Sequence, residues 1–280
     1  MMCKRSKGIC VMKIKKALMC GALAVAMLFT GCKAGFNGNA KDVTPKSGDL
    51  IATFEIEDYG TIKAVLFPEV APVGVENFQK LCDSGYYEGL KIHRVMSDFM
   101  FQGGSANGDG TGGEAMVNGG RFSIETDKNV RHFYGALCYA NAGADNNSTQ
   151  FYIVNNKTEQ DLDELADTAQ ANADYFKEAV DYYKALGIDE AVDYYSPQIT
   201  YYQTRHDWAA SASKAIKARY KEKGGTPMLD GDYTVFGQVY EGFDVIDAIS
   251  AAEVEDDGTG ALSKPVKDII IRNISVSTFE

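Results

Sequence analysis

From Leu50 onward, most of the chain is cut into strand-like runs of roughly four to ten residues, with glycine, proline or acidic turns between them. Leu50–Ile56 is rich in β-branched and aromatic residues and reads as a strand. Asp58-Tyr59-Gly60 reads as a turn and residues 61–67 as the returning strand, which together make a hairpin. Pro68 and Pro72 punctuate the exit. Residues 73–84 then read as a helix, because Val75, Phe78, Leu81 and Cys82 fall near one face and Gly85 follows as a stop. Further strands are expected at 91–95, 99–102, 135–140, 150–154, 234–239 and 266–275. A second short helix is expected at Phe243–Ser250, and the glycine-rich stretch 103–120 can only be loop. Many short strands, two helices and glycine-rich turns predict a mainly β protein: a closed antiparallel β-barrel capped by two helices.

One stretch breaks the pattern. Residues 157–224 are rich in Ala, Glu, Lys and Tyr, and Gly187 is their only glycine before the final Gly224. Thr158-Glu159-Gln160-Asp161 resembles a helix start and Gly187 a C-terminal stop. Ser196-Pro197 reads as a second start, with a cap followed by proline at the first helical position. The expectation is an α-helical insertion of two long helices, with room for a short one between them. Its tyrosines (Tyr175, Tyr182, Tyr183, Tyr194, Tyr195, Tyr201, Tyr202 and Tyr220) are expected to pack helix against helix.

The first 31 residues read as an export signal rather than as fold. They are basic through Lys16, then apolar from Ala17 to Phe29, then Thr30-Gly31-Cys32. The apolar run is shorter than the roughly 20 residues a membrane-spanning helix needs. Phe29-Thr30-Gly31-Cys32 resembles a bacterial lipobox, with Phe29 where Leu is usual. That resemblance implies lipidation of Cys32, anchoring to a bacterial membrane and an extracytoplasmic location. Residues 33–48 read as a flexible tether, and the folded domain is expected at 49–280. Four of the six cysteines lie in or at the signal, which leaves Cys82 and Cys138. One pair defines no disulfide framework, and free buried thiols are expected.

Charge narrows the partners. The chain has 39 acidic and 28 basic residues, a net charge of −11. Six of the basic residues precede Cys32, where no acid occurs, so the folded part is more acidic still. Nucleic acid is therefore excluded as a partner, since phosphate binding needs clustered cations. His132 and His206 have no metal-ligand spacing. Ser148 and Thr149 lack a paired base, which argues against a hydrolytic triad.

Three separated segments carry the chemistry. The first is Ile92-His93-Arg94-Val95-Met96, with Phe99-Met100, Gln102-Gly103-Gly104 and Gly110-Thr111-Gly112-Gly113. The second is Tyr139-Ala140-Asn141-Ala142-Gly143 with Thr149-Gln150-Phe151-Tyr152-Ile153. The third is Leu229-Asp230-Gly231 with Val235-Phe236-Gly237. Each resembles the corresponding motif of the cyclophilin-type peptidyl-prolyl cis-trans isomerases, and they occur in the family's order. The resemblance implies a foldase acting on X-Pro bonds of proline-containing polypeptide clients, with no cofactor. It assigns catalysis to Arg94 and Gln102. It assigns the substrate groove to Phe99, Met100, Ala140, Asn141, Tyr152, Met228, Leu229 and Tyr233. His93 precedes Arg94 on a strand, points away from it and reads as structural.

Three positions depart from the family pattern. Met228 stands where many members have Trp, Tyr233 where many have His, and Tyr152 where Phe is commoner. The loss of the indole donor implies weak cyclosporin binding. The added hydroxyls leave a second reading open, a proline-peptide-binding module or holdase with weak turnover. A third reading makes the insertion the functional part, in adhesion or assembly, with the barrel as scaffold.

Overall fold

A computed structural model describes residues 38–143 and 145–280. The segment read as an export signal and the expected lipidation site Cys32 lie outside the described residues.

The chain begins with the expected hairpin, β1 (Leu50–Ile56) and β2 (Gly60–Leu66). Its turn places Asp58 at φ 64° and Gly60 at φ 124°. Then come α1 (Pro72–Asp83), β3 (Lys91–Met96), β4 (Met100–Gly103), β5 (Ala136–Tyr139) and β6 (Phe151–Val154). Three helices follow: α2 (Leu162–Ala185), α3 (Asp189–Ala210) and α4 (Lys214–Lys223). A 3₁₀ turn at Pro227–Leu229 leads to β7 (Val235–Glu241) and α5 (Phe243–Ser250). The chain ends in β8 (Val254–Asp256), β9 (Leu262–Pro265) and β10 (Ile269–Thr278). Eight antiparallel strands close in the order β1-β10-β3-β4-β6-β5-β7-β2, and β8 and β9 form a separate two-stranded ribbon. This is the barrel the short strands imply; the β8–β9 ribbon is an addition to it.

Inside the barrel, Phe54, Phe78, Phe151, Phe236, Tyr87 and Tyr139 interlock with ring centroids 4.5–6.3 Å apart. Helix α1 contributes Val75, Phe78, Leu81 and Cys82 to this core, and α5 contributes Val245, Ile246 and Ile249. Ala71 offers α1 no side-chain cap. The carboxylate of Glu125 supplies one from a distant loop, accepting from the backbone N–H groups of Val73 (3.1 Å) and Gly74 (2.8 Å). Cys82 and Cys138 are both free and buried.

The insertion differs from expectation in its internal breaks. Asp161 caps α2 by accepting from Asp163 N–H and Glu164 N–H, and Gly187 turns the chain at φ 69°. No helix begins at Ser196-Pro197. Instead α3 starts at Asp189 and runs through Pro197, and the Ser196 hydroxyl donates to the Val192 carbonyl at 2.6 Å. An internal proline costs a helix about 3 kcal/mol. Here the residues on both sides of it are held by aromatic packing on α2: Tyr195 on Phe176 and Tyr183, and Tyr202 on Phe176. The short helix α4 follows the two long ones rather than separating them.

The segment read as a tether is partly folded. Asn39 is fully buried: it donates to the Arg131 carbonyl (2.8 Å) and to Gln238 Oε1 (3.1 Å), and accepts from Arg131 N–H (2.9 Å). Asp42 pairs with Arg219 at 2.9 Å. The polar composition of 33–48 disguises these hydrogen-bonded contacts, beside which Ala40 and Val43 pack against buried apolar clusters.

Candidate active site on the barrel wall

Strand register sets up the site. Across β3, β4, β6, β5 and β7, the residues Arg94, Gln102, Tyr152, Cys138 and Val235 are successive cross-strand partners. Their chain neighbours Val95, Phe101, Ile153, Leu137 and Phe236 belong to the barrel core. Side chains alternate across a strand, so the Arg94–Val235 row faces outward.

On that outer wall a second apolar cluster forms. It contains Met100, Tyr152, Val130, Val235 and Cys138, with Phe99, Met96, Ala140, Leu229 and Tyr233 packed at its edge. The structure thus brings together the expected groove residues Phe99, Met100, Ala140, Tyr152, Leu229 and Tyr233. The Phe99 backbone N–H donates to Asn155 Oδ1 at 2.9 Å. Asn141 follows directly after Ala140, and its side chain bonds Asn147 (3.3 Å) and the Gly143 N–H (3.1 Å). Met228 is not part of the cluster. The 3₁₀ turn at Pro227–Leu229 carries Leu229 inward and leaves Met228 50% exposed.

Arg94 owes its placement to a β-bulge. Register slips between Ile92 and Arg94, so His93 is the extra residue. The His93 ring lies within 3.7 Å of the space a Cβ on Gly110 would fill. Burial, with Arg94 beside it, lowers its pKa to about 4, so the ring is neutral at pH 7. Half-buried Arg94 donates from Nη2 to Met96 Sδ at 3.0 Å. It makes no salt bridge with any carboxylate among the described residues. Gln102 Nε2 donates to Gln150 Oε1 (2.9 Å), and Gln150 Nε2 donates to the Gly110 carbonyl (2.8 Å). A chain of amides therefore ties Gln102 to the glycine-rich loop.

Two of the three departures from the family pattern, Tyr152 and Tyr233, meet in this cluster. Tyr152 stacks on His132 (centroids 6.2 Å, planes 12° apart) and meets Tyr233 edge-on at 6.0 Å. Its buried hydroxyl has no hydrogen-bond partner of ordinary geometry, with the Cys138 thiol beside it. Burial raises the pKa of both groups well above their usual values.

Behind the pocket sits buried Asp230. It accepts from Arg131 Nη1 (3.0 Å), His132 N–H (3.0 Å) and Tyr220 Oη (2.8 Å), and contacts His132 Nδ1 at 2.8 Å. Arg131 also lies over the Trp208 ring at 4.6 Å. Tyr220 and Trp208 belong to the insertion, so the insertion and the Leu229–Tyr233 loop share one buried network. Gly231, at φ 89°, lies so near Trp208 that a Cβ there would fall 2.3 Å from the indole nitrogen. Sequence reading did not single out Gln150, Met96 or Trp208 as site residues. Gln150 was detectable, because it lies two positions before Tyr152 and so shares its side of the strand. Trp208 was not, since its contact depends on how α3 docks.

This geometry can be compared with known proteins. The family model described as "Cyclophilin type peptidyl-prolyl cis-trans isomerase/CLD" matches residues 51–180 and 220–276. The chain is 35% identical over 217 residues to a Staphylococcus haemolyticus protein named "Putative peptidyl-prolyl cis-trans isomerase", covering 78% of this chain and 86% of that protein. A Staphylococcus epidermidis protein of the same name is 36% identical over 219 residues, covering 78% and 87%. Among solved structures, a Cryptosporidium parvum cyclophilin type isomerase overlays with a TM-score of 0.54 at 20% identity, covering 83% of this chain and 99% of its own. At that identity the likeness bears on the fold. The chain belongs to the cyclophilin-type peptidyl-prolyl cis-trans isomerase family, whose activity is rotation about the peptide bond preceding proline. The family match breaks between 180 and 220, a gap that takes in the end of α2, all of α3 and the start of α4.

Proposed function

We propose that Arg94 is the catalytic donor of this isomerase and that its substrates are exported polypeptides met at a membrane surface. An X-Pro amide resists rotation because its C–N bond is partly double, with a barrier of roughly 18–20 kcal/mol. Rotation needs no covalent intermediate. It needs a site that holds the ring and binds the twisted amide better than either planar form. Twisting returns a lone pair to the prolyl nitrogen, and a fixed cationic donor aimed at that nitrogen favours the twisted state.

The observation that carries the reading is the position of Arg94. A guanidinium that pairs with no carboxylate among the described residues stands in register with Gln102 and Tyr152, on the same face as an apolar cluster. Met100, Leu229, Phe99 and the aromatic floor would enclose the ring. The low-polarity surroundings strengthen the guanidinium's interaction. Gln102, steadied through Gln150, would hold the substrate backbone beside Arg94. The test is isomerisation of a four-residue X-Pro peptide by the wild type and by Arg94→Ala. Catalysis above the uncatalysed rate, lost in a folded variant, is expected. Equal rates for the two proteins would contradict the assignment.

Export and anchoring rest on the basic, apolar and Gly-Cys order of residues 1–32. Among the described residues no helix is long and apolar enough to cross a membrane; in this reading attachment is through a lipidated Cys32. Fractionation of cells expressing the wild type and Cys32→Ala tests this. Wild type in the membrane fraction and the variant released is expected; both released would contradict it.

A further inference from the structure

The insertion repeats one local pattern four times. Tyr175-Phe176, Tyr182-Tyr183, Tyr194-Tyr195 and Tyr201-Tyr202 are adjacent aromatic pairs. The second members pack between α2 and α3: Phe176 stacks on Tyr202 at 5.6 Å and lies 5.9 Å from Tyr195, and Tyr183 stacks on Tyr195 at 5.6 Å. The first members stand outside. Tyr175, Tyr182, Tyr194 and Tyr201 are 65%, 62%, 71% and 46% exposed, each edge-on to its inner neighbour at 5.0–5.4 Å.

Helix geometry places the outer four together. With 3.6 residues per turn, each residue is rotated by about 100° from the next. The contacts pair rising numbers on α2 with falling numbers on α3, so the helices are antiparallel. A step back from the buried residue then turns toward the same side of the hairpin on both helices, and all four exposed tyrosines share one face. The stripe on α3 does not end at Tyr201. Seven residues further along the same face is Trp208, against Gly231 and in one cleft with Tyr233 and His132. Between them, Arg205 covers the Tyr201 ring at 4.4 Å and pairs with Asp232. An aromatic line thus starts at the rim of the proline pocket and runs outward along α3.

We propose that this face is a second binding surface, occupied by the unfolded polypeptide whose proline sits in the barrel pocket. The proposal rests on the isomerase reading of that pocket. Two observations select the occupant. The first is continuity, because Trp208 belongs both to the stripe and to the pocket's cleft. The second is charge, since α2 and α3 together carry ten acidic and three basic residues. Glu178 and Glu190 stand within four positions of the outer tyrosines, on the same face. Such a face repels anionic membranes and nucleic acid and attracts an extended chain with basic and apolar side chains. Tyrosine suits the task, because it offers a large rigid contact area at low entropic cost.

Reach separates the two sites. Tyr201 lies about 10 Å and Tyr194 about 21 Å along the helix from Trp208. A four-residue peptide spans at most about 14 Å and is centred on the pocket, whereas a longer extended chain reaches both.

Trp208 is the only tryptophan in the protein and serves as the reporter. The full chain is titrated with a tryptophan-free, permanently unfolded, basic polypeptide of about 30 residues containing proline, and with an acidic counterpart. Saturable change in Trp208 emission is expected with the basic polypeptide, weakened by salt, and little with the acidic one. The Tyr175→Gln, Tyr182→Gln, Tyr194→Gln triple variant is expected to bind the basic polypeptide at least tenfold more weakly. Its isomerisation of an X-Pro tetrapeptide should stay within twofold of wild type. Tyr194→Gln alone is expected to give a smaller loss of the same sign should the triple variant misfold. Equal affinity of variants and wild type, no binding by the wild type, or saturation by phosphatidylserine vesicles instead of polypeptide would overturn the proposal. Absence of tetrapeptide turnover in the wild type counts against the isomerase reading alone, because polypeptide binding is read independently.

Discussion

Two side chains near the Arg94–Val235 row carry unusual burdens. The Tyr152 hydroxyl is buried without a hydrogen bond of ordinary geometry, within the apolar cluster on the barrel's outer wall. An unsatisfied buried hydroxyl costs roughly 1–3 kcal/mol. Tyr152→Phe is therefore expected to raise stability by about 1 kcal/mol in urea unfolding and to lower KM for an X-Pro peptide. A less stable variant would mean that the hydroxyl has a partner in solution. His93 bears a different burden. Its folded pKa is depressed from 6.5 to about 4, by burial first and then by Arg94, with Asp109 opposing. Between those two values the unfolded chain binds a proton that the folded chain does not, so this contribution to stability is full above about pH 6.5 and falls as the pH drops toward 4. The loss is on the order of 3 kcal/mol. His93→Gln is expected to flatten the stability profile between pH 7 and pH 4.5, and an unchanged profile would count against it.

The elements show what a linear pattern can and cannot reveal. The strands were legible because one side of each feeds the barrel core, so β-branched and aromatic residues recur at period two between glycine turns. The Arg94, Gln102 and Tyr152 row was legible through motifs confined to single strands. The bulge at His93 was not, because it exists only relative to β4. The β8–β9 ribbon was hidden by its acidic, largely exposed composition, and α3 by Pro197, whose cost is met by contacts with α2. The network around Asp230 joins segments 10, 98 and 99 residues apart, a range at which no local signal operates. It also makes a sharp prediction. Removing one partner of a buried ion pair leaves a stranded charge and costs roughly 3–5 kcal/mol. Asp230→Ala, which strands fully buried Arg131, is expected to destabilise the protein by that amount in urea unfolding. A change below about 1 kcal/mol would show that the network is not a brace.

At the scale of the molecule, barrel and insertion are not separable parts. Phe133 beside the barrel packs on Tyr220 at 4.4 Å, within a cluster that includes Leu162, Ala209 and Ile216. Excising 157–224 would uncover that surface and strip Asp230 of Tyr220, so truncation would disturb the loop carrying Leu229 and Tyr233. The N-terminal segment is drawn in as well, through Asn39 and Asp42. In the proposed mechanism Arg94 stabilises the twisted amide rather than the bound ground state. The direct measurement is by NMR exchange on an X-Pro peptide, giving the dissociation constant and the on-enzyme isomerisation rate for wild type and Arg94→Ala. A rate at least 100-fold lower is expected in the variant, with the dissociation constant within about threefold. A dissociation constant weakened in proportion, with the on-enzyme rate preserved, would make Arg94 a binding residue and contradict the account.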